Sequence, residues 1–407
     1  MTAAGSVLLH GISTLVTNDP EAGPGLLGRI PDAALIIDED RIGWVGPAHL
    51  APAADTEVDL GDRAVLPGWV DSHTHLVFAG DRADEFAARM AGTPYEAGGI
   101  RRTVAATRAA TDEELVDLVR ARLTTMARWG TTCVEIKTGY GLSVRDEGRL
   151  ARIAAGAGAD EVTFLGAHVV PEEFADDPDG YLDLVCGPML DAVAGSVRFI
   201  DVFCEDGAFD DARSRRVLAA GERVGLLGKV HGNQLQPGPG VLMAVTAGAV
   251  SVDHCTYLAP EDIDALTGSQ TVATLLPTCD LSTRHPPAPG RALVDAGVAI
   301  ALASDCNPGT SATSSMALVV ALGVLQCGLT TDEAVYAATA GGAKALRRDD
   351  VGRIAVGMRA DLHVLDAPAP EHLAYHVGMP LTRAVWRRGV PVPDPGQAGR
   401  PGEEDRP

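Results

Sequence analysis

Hydrophobic and polar positions alternate in two different ways along the chain. In residues 1–65, short apolar runs are separated by polar turns, a pattern that predicts a small antiparallel β unit. Between 66 and 349, longer apolar runs alternate with stretches of 3.6-residue periodicity, which predicts parallel strands joined by helices. Short β runs return in 350–390. We therefore expect a composite β domain from both chain ends (1–65 plus 350–390) and, from its Pro- and Gly-rich composition, a disordered tail over 391–407.

Eight apolar runs in the central region have the length and composition of buried strands. They cover 65–70, 132–137, 162–166, 198–203, 227–231, 250–253, 271–275 and 299–303. Eight parallel strands alternating with helices close a (β/α)8 barrel of the TIM type. An open, doubly wound sheet is the structural alternative, but no GxGxxG sequence follows the first strand. The predicted fold class is thus α/β, a TIM-type barrel with a small β-sandwich domain.

The clearest helix is predicted over 112–128. Thr111 and Glu114 form a capping-box sequence, and apolar residues then recur at helical spacing. The other predicted helices cover 145–157, 211–225, 238–247, 290–296, 314–327 and 331–346.

Histidines collect where the predicted strands end. His73 and His75 follow the first strand, and their i, i+2 spacing directs both side chains to the same face. Single residues with metal-binding side chains follow later strands: His168 after strand three, His231 after strand five, His254 after strand six and Asp305 after strand eight. In such barrels the functional residues lie at these strand ends.

Four of these residues form a plausible ligand set for one catalytic metal ion. His73, His75, His231 and Asp305 supply three imidazoles and a carboxylate, and Asp305 ends an apolar strand where an unpaired charge would be costly. Such a metal lowers the pKa of water from about 15.7 towards 7. His254 is predicted to hydrogen-bond the oxygen that becomes anionic, or to relay protons.

Composition excludes several other classes of function. The net charge of −22 argues against nucleic-acid binding, because phosphates require a cationic surface. No apolar run approaches the about 18 residues of a membrane span, so no membrane association is expected. The seven cysteines are dispersed and contain no CxxC pair, which predicts reduced thiols and a cytoplasmic location.

The arrangement of these residues resembles the amidohydrolase superfamily. The resemblance rests on His73-Thr74-His75, on single histidines after strands five and six, on Asp305, and on the turn sequence over 352–362. Strand four ends in Cys204-Glu205 without a lysine, and the lysine after strand two is Lys137. A carbamylated lysine bridging two metals is therefore not expected, and the resemblance implies a mononuclear site.

Five segments resemble more specifically the imidazolonepropionase family. They are 73–82, 135–142, 163–168, 201–205 and 304–310. This resemblance implies hydrolysis of 4-imidazolone-5-propanoate to N-formimidoyl-L-glutamate with one zinc or iron ion per subunit. It also implies a substrate site in which Arg82 binds the propanoate carboxylate. The further residues expected to contact the substrate are Tyr95, Tyr140, His168, Gln234, Asn307, Gly309 and Thr310.

One position departs from the pattern of the resembled superfamily. Many of its members have glutamate three residues after the strand-five histidine, where this chain has Gln234. Glutamine cannot carry a proton, which counts against nucleobase deamination, so we assign proton transfer to Asp305 with His254. Two alternatives stay open: another amidohydrolase acting on a cyclic amide or amidine, and a barrel that has lost catalysis and serves in binding or assembly. A homodimer is the expected assembly.

Overall fold

The computed structural model describes residues 5–92 and 99–393. These residues contain fifteen strands, numbered here in chain order. The strands are β1 (Val7–Val16), β2 (Arg29–Asp38), β3 (Arg41–Pro47), β4 (Thr56–Pro67), β5 (Trp69–Asp71), β6 (Thr131–Lys137), β7 (Glu161–Ala167), β8 (Phe199–Cys204), β9 (Leu227–Gly232), β10 (Ser251–His254), β11 (Val272–Leu275), β12 (Ile300–Leu302), β13 (Leu362–Leu365), β14 (Thr382–Arg387) and β15 (Val390–Pro391).

Fifteen α-helices, numbered in the same way, lie in the described residues. They are α1 (Ala83–Met90), α2 (Ile100–Ala109), α3 (Asp112–Arg128), α4 (Val144–Ala157), α5 (Pro178–Leu184), α6 (Leu190–Val193), α7 (Asp211–Arg223), α8 (Gly240–Thr246), α9 (Pro260–Leu266), α10 (Pro277–Thr283), α11 (Gly290–Asp295), α12 (Met316–Leu325), α13 (Thr331–Tyr336), α14 (Gly342–Ala345) and α15 (His372–Tyr375). Short 3₁₀ turns cover Ala48–Leu50 and Glu172–Phe174, and π turns cover Val185–Met189 and Ala337–Gly341. None of the described helices combines the length and apolar character needed to cross a membrane.

Helix α3 occupies the predicted range because its ends are specified locally. The Glu114 amide donates to the Thr111 hydroxyl at 3.2 Å, and the Thr111 amide donates to the Glu114 carboxylate at 2.8 Å, which satisfies two of the unpaired amides at the helix start. Leu115 and Val119 on the predicted apolar face are buried. The capping box and periodicity together are therefore sufficient to place this helix.

Both ends of the chain contribute to one seven-stranded sheet. Its strand order is β15-β14-β13-β4-β1-β2-β3, so the C-terminal strands add to the edge of β4. The prediction of a purely antiparallel N-terminal unit is wrong, because β1 pairs with β4 in parallel. The predicted limits of the composite domain stay a prediction. The predicted tail lies outside the described residues from 394 onward, and its first residue, Pro391, ends β15.

The other eight strands form a parallel sheet in chain order, from β5 to β12. This confirms the predicted fold class of a TIM-type barrel with a separate β sheet. Seven of the eight predicted barrel strands lie within two residues of their observed limits. The first, 65–70, is divided, because the apolar run serves both sheets: β4 ends at Pro67 and β5 begins at Trp69. Between them, a Cβ on Gly68 would lie 2.2 Å from the Thr132 hydroxyl, so the junction requires glycine.

The first and last barrel strands are joined by a short set of hydrogen bonds. The Asp305 amide donates to the His73 carbonyl at 3.0 Å, and the His75 amide donates to the Cys306 carbonyl at 3.0 Å. The Asp71 carboxylate accepts from the Ser304 amide at 3.0 Å and from its hydroxyl at 2.5 Å. The residues that close the barrel are thus the predicted metal ligands and their immediate neighbours.

An ion cluster fixes the second sheet to the barrel. Asp160, after α4, accepts from Arg359 at 2.7 Å, Arg387 at 2.9 Å and Arg388 at 3.2 Å. Arg359 also pairs with Asp361 and donates to the Thr132 carbonyl at 2.9 Å. Arg359 and Asp361 belong to the turn over 352–362, so this sequence pattern marks a contact between the sheets.

We expect an Asp160→Asn variant to be less stable by about 2–3 kcal/mol, because it leaves buried arginine charge without its carboxylate. Burial raises the pKa of Asp160, but Arg359 and Arg387 lower it further, to below its usual range. A carboxyl whose folded pKa is depressed stabilises the protein above its unfolded pKa of about 4 and loses that effect as the pH falls. Denaturant unfolding should therefore show a stability difference that is complete at pH 7 and shrinks below about pH 4. A pH-independent difference would contradict this account.

Candidate metal centre and substrate cleft

Three imidazoles meet at the carboxyl ends of the barrel strands. The Nε2 atom of His75 lies 3.3 Å from that of His73 and 3.4 Å from that of His231. All three side chains are buried. His73 and His75 come from the segment after β5, and His231 comes from β9. Residues far apart in the sequence therefore meet at the strand ends, as predicted.

Asp305, which follows the last barrel strand β12, lies beside the two histidines that follow the first barrel strand β5. Its Oδ1 atom lies 3.5 Å from the Nε2 of His73 and 3.6 Å from that of His75. Two ligand atoms about 2.1 Å from one tetrahedral ion are about 3.4 Å apart. The observed separations match this spacing, and a set of three nitrogens and one carboxylate oxygen suits a catalytic metal.

The charge states of these groups also favour a cation. Burial holds the pKa of His73 and of His75 well below the usual range, so both imidazoles are neutral and can donate a lone pair. Burial raises the pKa of Asp305 to about 6, although His231 acts in the opposite direction. A bound cation would stabilise the charged carboxylate that burial disfavours.

Carboxylates orient two of the histidines through their Nδ1 atoms. The Asp253 carboxylate accepts from the Nδ1 of His73 at 2.7 Å, and the Asp201 carboxylate accepts from the Nδ1 of His231 at 3.2 Å. Each contact directs the Nε2 lone pair towards the common point, as in the histidine–carboxylate pairs that support metals. The Nδ1 of His75 has no hydrogen-bond partner among the described residues.

Sequence reasoning did not assign a role to these supporting carboxylates. The sequence does not show that Asp201 and Asp253 lie close together, because they belong to separate apolar strands. The available signal was a single charged residue inside each buried apolar strand, because such a charge is tolerated only when it is paired.

The backbone at the strand ends adopts conformations that side chains usually avoid. His254, Cys255 and Asp305 have φ values of 83°, 54° and 51°, and Asn233 has 54°. Left-handed conformations at non-glycine residues are strained and concentrate at functional sites. Here they lie at or just after the ends of β9, β10 and β12, where the metal-binding and proton-transfer residues were predicted.

A cleft opens over the three imidazoles. Its described lining combines aromatic and polar side chains: His75, Arg82, Ile100, Tyr140, His168, Val169, Phe203, His231, Gln234, Leu235, His254, Asp305, Asn307 and Thr310. Ten of the predicted site residues therefore meet here. His73 lies beneath the surface, and Tyr95 is outside the described residues.

His168 and Tyr140 form one wall of this cleft. The His168 ring stacks on His75 with centroids 5.4 Å apart and an interplanar angle of 19°. Its Nδ1 donates to the Gly139 carbonyl at 3.1 Å, and burial lowers the pKa of His168 to about 3. The neutral ring therefore presents an Nε2 acceptor. The Tyr140 ring lies 5.6 Å from that of His168.

Arg82 also lines the cleft and carries, among the described lining residues, the permanent positive charge. Its Nε and Nη2 atoms donate to Glu85 at 2.8 and 2.5 Å, which fixes the plane of the guanidinium. Gly309 does not line the cleft. Its carbonyl accepts from Arg89 at 3.2 Å, and a Cβ on Gly309 would lie 2.2 Å from Arg82 Nη1. Gly309 thus makes room for Arg82.

Asn307 and Thr310 brace Asp305 as well as line the cleft. Asn307 donates to the Asp305 carbonyl at 2.6 Å, and the Thr310 hydroxyl donates to Asp305 Oδ2 at 3.2 Å. They leave Oδ1 directed towards His73 and His75. These residues hold the carboxylate in a single orientation.

Gln234 lies on a loop held by a carboxylate. Its backbone amide donates to Glu205 at 2.9 Å, and its Nε2 lies 3.6 Å from the sulfur of Cys279. Cys279, which the sequence did not single out, also lies within 4.8 Å of ligand atoms of His254 and Asp305. Burial raises the pKa of the Cys279 thiol well above its usual range, so the sulfur is protonated and neutral.

We expect a His231→Ala variant to lose the metal ion, because three donors then face the centre instead of four. Metal content after dialysis should fall from about one ion per chain to a small fraction of that value. His168→Ala is a matched control, since it removes a cleft histidine whose Nδ1 is bonded to backbone rather than to a supporting carboxylate. Elemental analysis measures both, and equal metal content in the two variants would contradict the assigned ligand set.

Comparison with known proteins places the chain in a family. The amidohydrolase family model matches residues 229–392. The imidazolonepropionase of Saccharopolyspora erythraea is 61% identical over 391 residues, covering 95% of this chain and 99% of that protein. The imidazolonepropionase of Mycolicibacterium smegmatis is 56% identical over 384 residues, covering 94% of this chain and 97% of that protein.

Solved structures with lower identity share the fold. A variant of atrazine chlorohydrolase from Arthrobacter aurescens, complexed with zinc and atraton, has a TM-score of 0.69 at 17% identity, covering 95% of this chain and 94% of that chain. An adenosine deaminase from Xanthomonas campestris with bound zinc has a TM-score of 0.67 at 21% identity, covering 95% of this chain and 92% of that chain. At this identity the likeness concerns the fold alone. From its identity to the curated relatives over nearly its whole length, the chain belongs to the imidazolonepropionase family of amidohydrolases.

Proposed function

We propose that this protein opens the ring of 4-imidazolone-5-propanoate by hydrolysis and releases N-formimidoyl-L-glutamate in histidine degradation. The observation that carries the proposal is the cleft itself. It places three imidazoles and a buried carboxylate at its base and the cationic Arg82 in its lining. A small ring with one anionic side chain matches both features.

The residues on the floor fit one metal ion, zinc or iron. His73, His75, His231 and Asp305 would hold it, and their mixed nitrogen and oxygen donors suit either metal. When bound, such an ion supplies a Lewis acid that polarises a carbonyl oxygen and lowers the pKa of water.

Arg82 accounts for recognition of the propanoate. A guanidinium pairs with a carboxylate through directed, charge-assisted hydrogen bonds. Glu85 already pairs with Arg82 and is less buried, with 28% of its side chain exposed against 4% for Arg82. The substrate carboxylate would therefore displace or share the Glu85 contact at the inner end of the guanidinium.

Polar side chains around the cleft orient the ring. The neutral His168 offers an acceptor to a ring N–H, and the Tyr140 hydroxyl offers a donor or acceptor. Asn307 and Gln234 carry amides on opposite loops that can bond a ring nitrogen or the developing product. Tyr95 stays a sequence-based prediction for this shell.

Proton transfer falls to Asp305 and His254. The two Asp305 oxygens are distinct, because Oδ1 faces His73 and His75 while Oδ2 accepts from Thr310. His254 is buried, and its Nδ1 has no hydrogen-bond partner among the described residues. We assign removal of the proton from the attacking water to Asp305. His254 then stabilises the developing oxyanion or passes the proton to the ring nitrogen that leaves.

Several finer predictions accompany this proposal. The alternative substrate class is another cyclic amide or amidine with an anionic side chain, for which Arg82 would serve equally well. A cytoplasmic location, a homodimer and the absence of nucleic-acid or membrane partners stay predictions. The free state of all seven cysteine thiols agrees with the predicted reduced thiols.

We expect Arg82→Met to reduce kcat/KM for 4-imidazolone-5-propanoate by about 10- to 100-fold, mainly through KM, because one charge-assisted contact is lost. The matched control is Arg102→Met, which removes a neighbouring exposed arginine paired with Asp84. Gly309→Ala should weaken substrate binding in the same direction by displacing the guanidinium. A steady-state assay that finds the same kcat/KM for Arg82→Met and Arg102→Met would contradict the assignment of Arg82 to the propanoate carboxylate.

A Gln234→Glu variant tests where the proton is carried. If Asp305 and His254 carry it, the new carboxylate adds no step that the enzyme lacks, and kcat should not rise. It should fall severalfold, because a second negative charge near Asp305 disfavours the ionised carboxylate. A sharp increase in kcat would show instead that position 234 is the natural place for the general acid or base.

A further inference from the structure

Two lysines lie inside the barrel, beneath the metal-binding histidines. The side chains of Lys137 on β6 and Lys229 on β9 are fully buried. Buried ammonium groups are tolerated only when they are paired and hydrogen-bonded. Burial lowers the pKa of Lys137, but Asp201, Glu135 and Asp253 raise it above its usual range, so the group stays charged.

Lys137 contacts the carboxylates that orient two of the proposed metal ligands. Its Nζ lies 2.7 Å from Asp201 and 3.3 Å from Asp253. Asp201 bonds His231, and Asp253 bonds His73. One ammonium group therefore connects both histidine–carboxylate pairs.

Lys229 has different partners. Its Nζ lies 3.0 Å from Glu135 and 2.9 Å from the Ser72 carbonyl, but 4.0 Å from Asp253. Glu135 is shared, because its Oε1 also lies 3.1 Å from Lys137. The two lysines thus belong to one buried cluster, and of the two only Lys137 is within hydrogen-bond distance of a carboxylate that holds a histidine.

We propose that Lys137 is a positioning residue for the metal centre, acting by fixing Asp201 and Asp253 so that His231 and His73 keep their orientation. This inference rests on the proposed metal-dependent function. It assigns a role to Lys137, the last residue of the second barrel strand. Because this side chain is charged and ion-paired, it is unsuitable as a carbamylated bridge between metals.

Two effects of removing Lys137 have opposite signs. Loss of a buried positive charge leaves the cluster more negative and would tighten binding of a cation. Loss of the contacts to Asp201 and Asp253 leaves both histidines free to move. The affinity for the cation would then fall, typically by about 10–100-fold for such supporting residues. The direction of the change in metal affinity therefore separates a positioning role from a purely electrostatic one.

The test uses two double variants with the same buried net charge. Lys137→Met/Glu135→Gln and Lys229→Met/Glu135→Gln each lose one ammonium and one carboxylate, which limits the unfolding that an unpaired buried charge would cause. Only the first loses contacts of hydrogen-bond length to Asp201 and Asp253; the second loses a contact of 4.0 Å to Asp253. Metal-stripped protein is titrated with Zn²⁺ against a chelator and with Co²⁺, whose absorption bands report coordination geometry, and thermal unfolding of the metal-free forms checks folding.

We expect the Lys137 double variant to bind Zn²⁺ about 10–100-fold more weakly than the original chain and to show altered Co²⁺ bands. The Lys229 double variant should stay within about threefold. Equal affinities and spectra in the two folded variants, or tighter binding in the first, would overturn the proposal.

If the first double variant does not fold, Lys137→Arg keeps the charge while changing the length and shape of the donor. The proposal then predicts altered Co²⁺ bands and severalfold weaker Zn²⁺ binding, and unchanged values would overturn it. Failure of the proposed function has a separate signature, since the original chain would itself bind neither Zn²⁺ nor Co²⁺ at the site.

Discussion

Closure of the barrel between β5 and β12 is the constraint on which the site depends. The backbone bonds from the Asp305 amide to the His73 carbonyl and from the His75 amide to the Cys306 carbonyl bring the His-x-His segment beside the Asp305 carboxylate. The spacing of these ligands is therefore set by backbone hydrogen bonds between the segments that follow the two strands. Gly341 and Gly342 support the seam, because a Cβ on either would lie 2.3 Å from a carbonyl of β12 or β5.

Beneath this seam, the barrel interior is built in layers of alternating charge. Imidazoles lie nearest the cleft, carboxylates lie behind them, and the two lysine side chains lie behind the carboxylates. Groups in neighbouring layers offset the free-energy cost of burying each charge, since an isolated buried charge would change its protonation state. The chemistry at the cleft thus depends on residues that never touch a substrate.

The sequence predicted most of this architecture because buried parallel strands are continuous apolar runs. It failed at 65–70, where one run serves two sheets. It also missed short helices such as α9 and α10, whose seven residues are too few to form a helix without tertiary packing. The metal ligands were identifiable because each follows a strand. The supporting charges were not, since Lys137 and Asp201 become partners only when the barrel closes. The contact of Gly309 with the substrate stays a prediction; the structure adds that a Cβ at this position would lie 2.2 Å from Arg82 Nη1.

The most direct test of the central claim is ring opening of 4-imidazolone-5-propanoate, measured on one preparation before and after metal removal, together with its zinc and iron content. The account predicts loss of turnover on stripping and recovery in proportion to added metal, up to about one ion per chain. Full turnover in metal-free protein, or no ring opening by protein that holds one ion per chain, would contradict it.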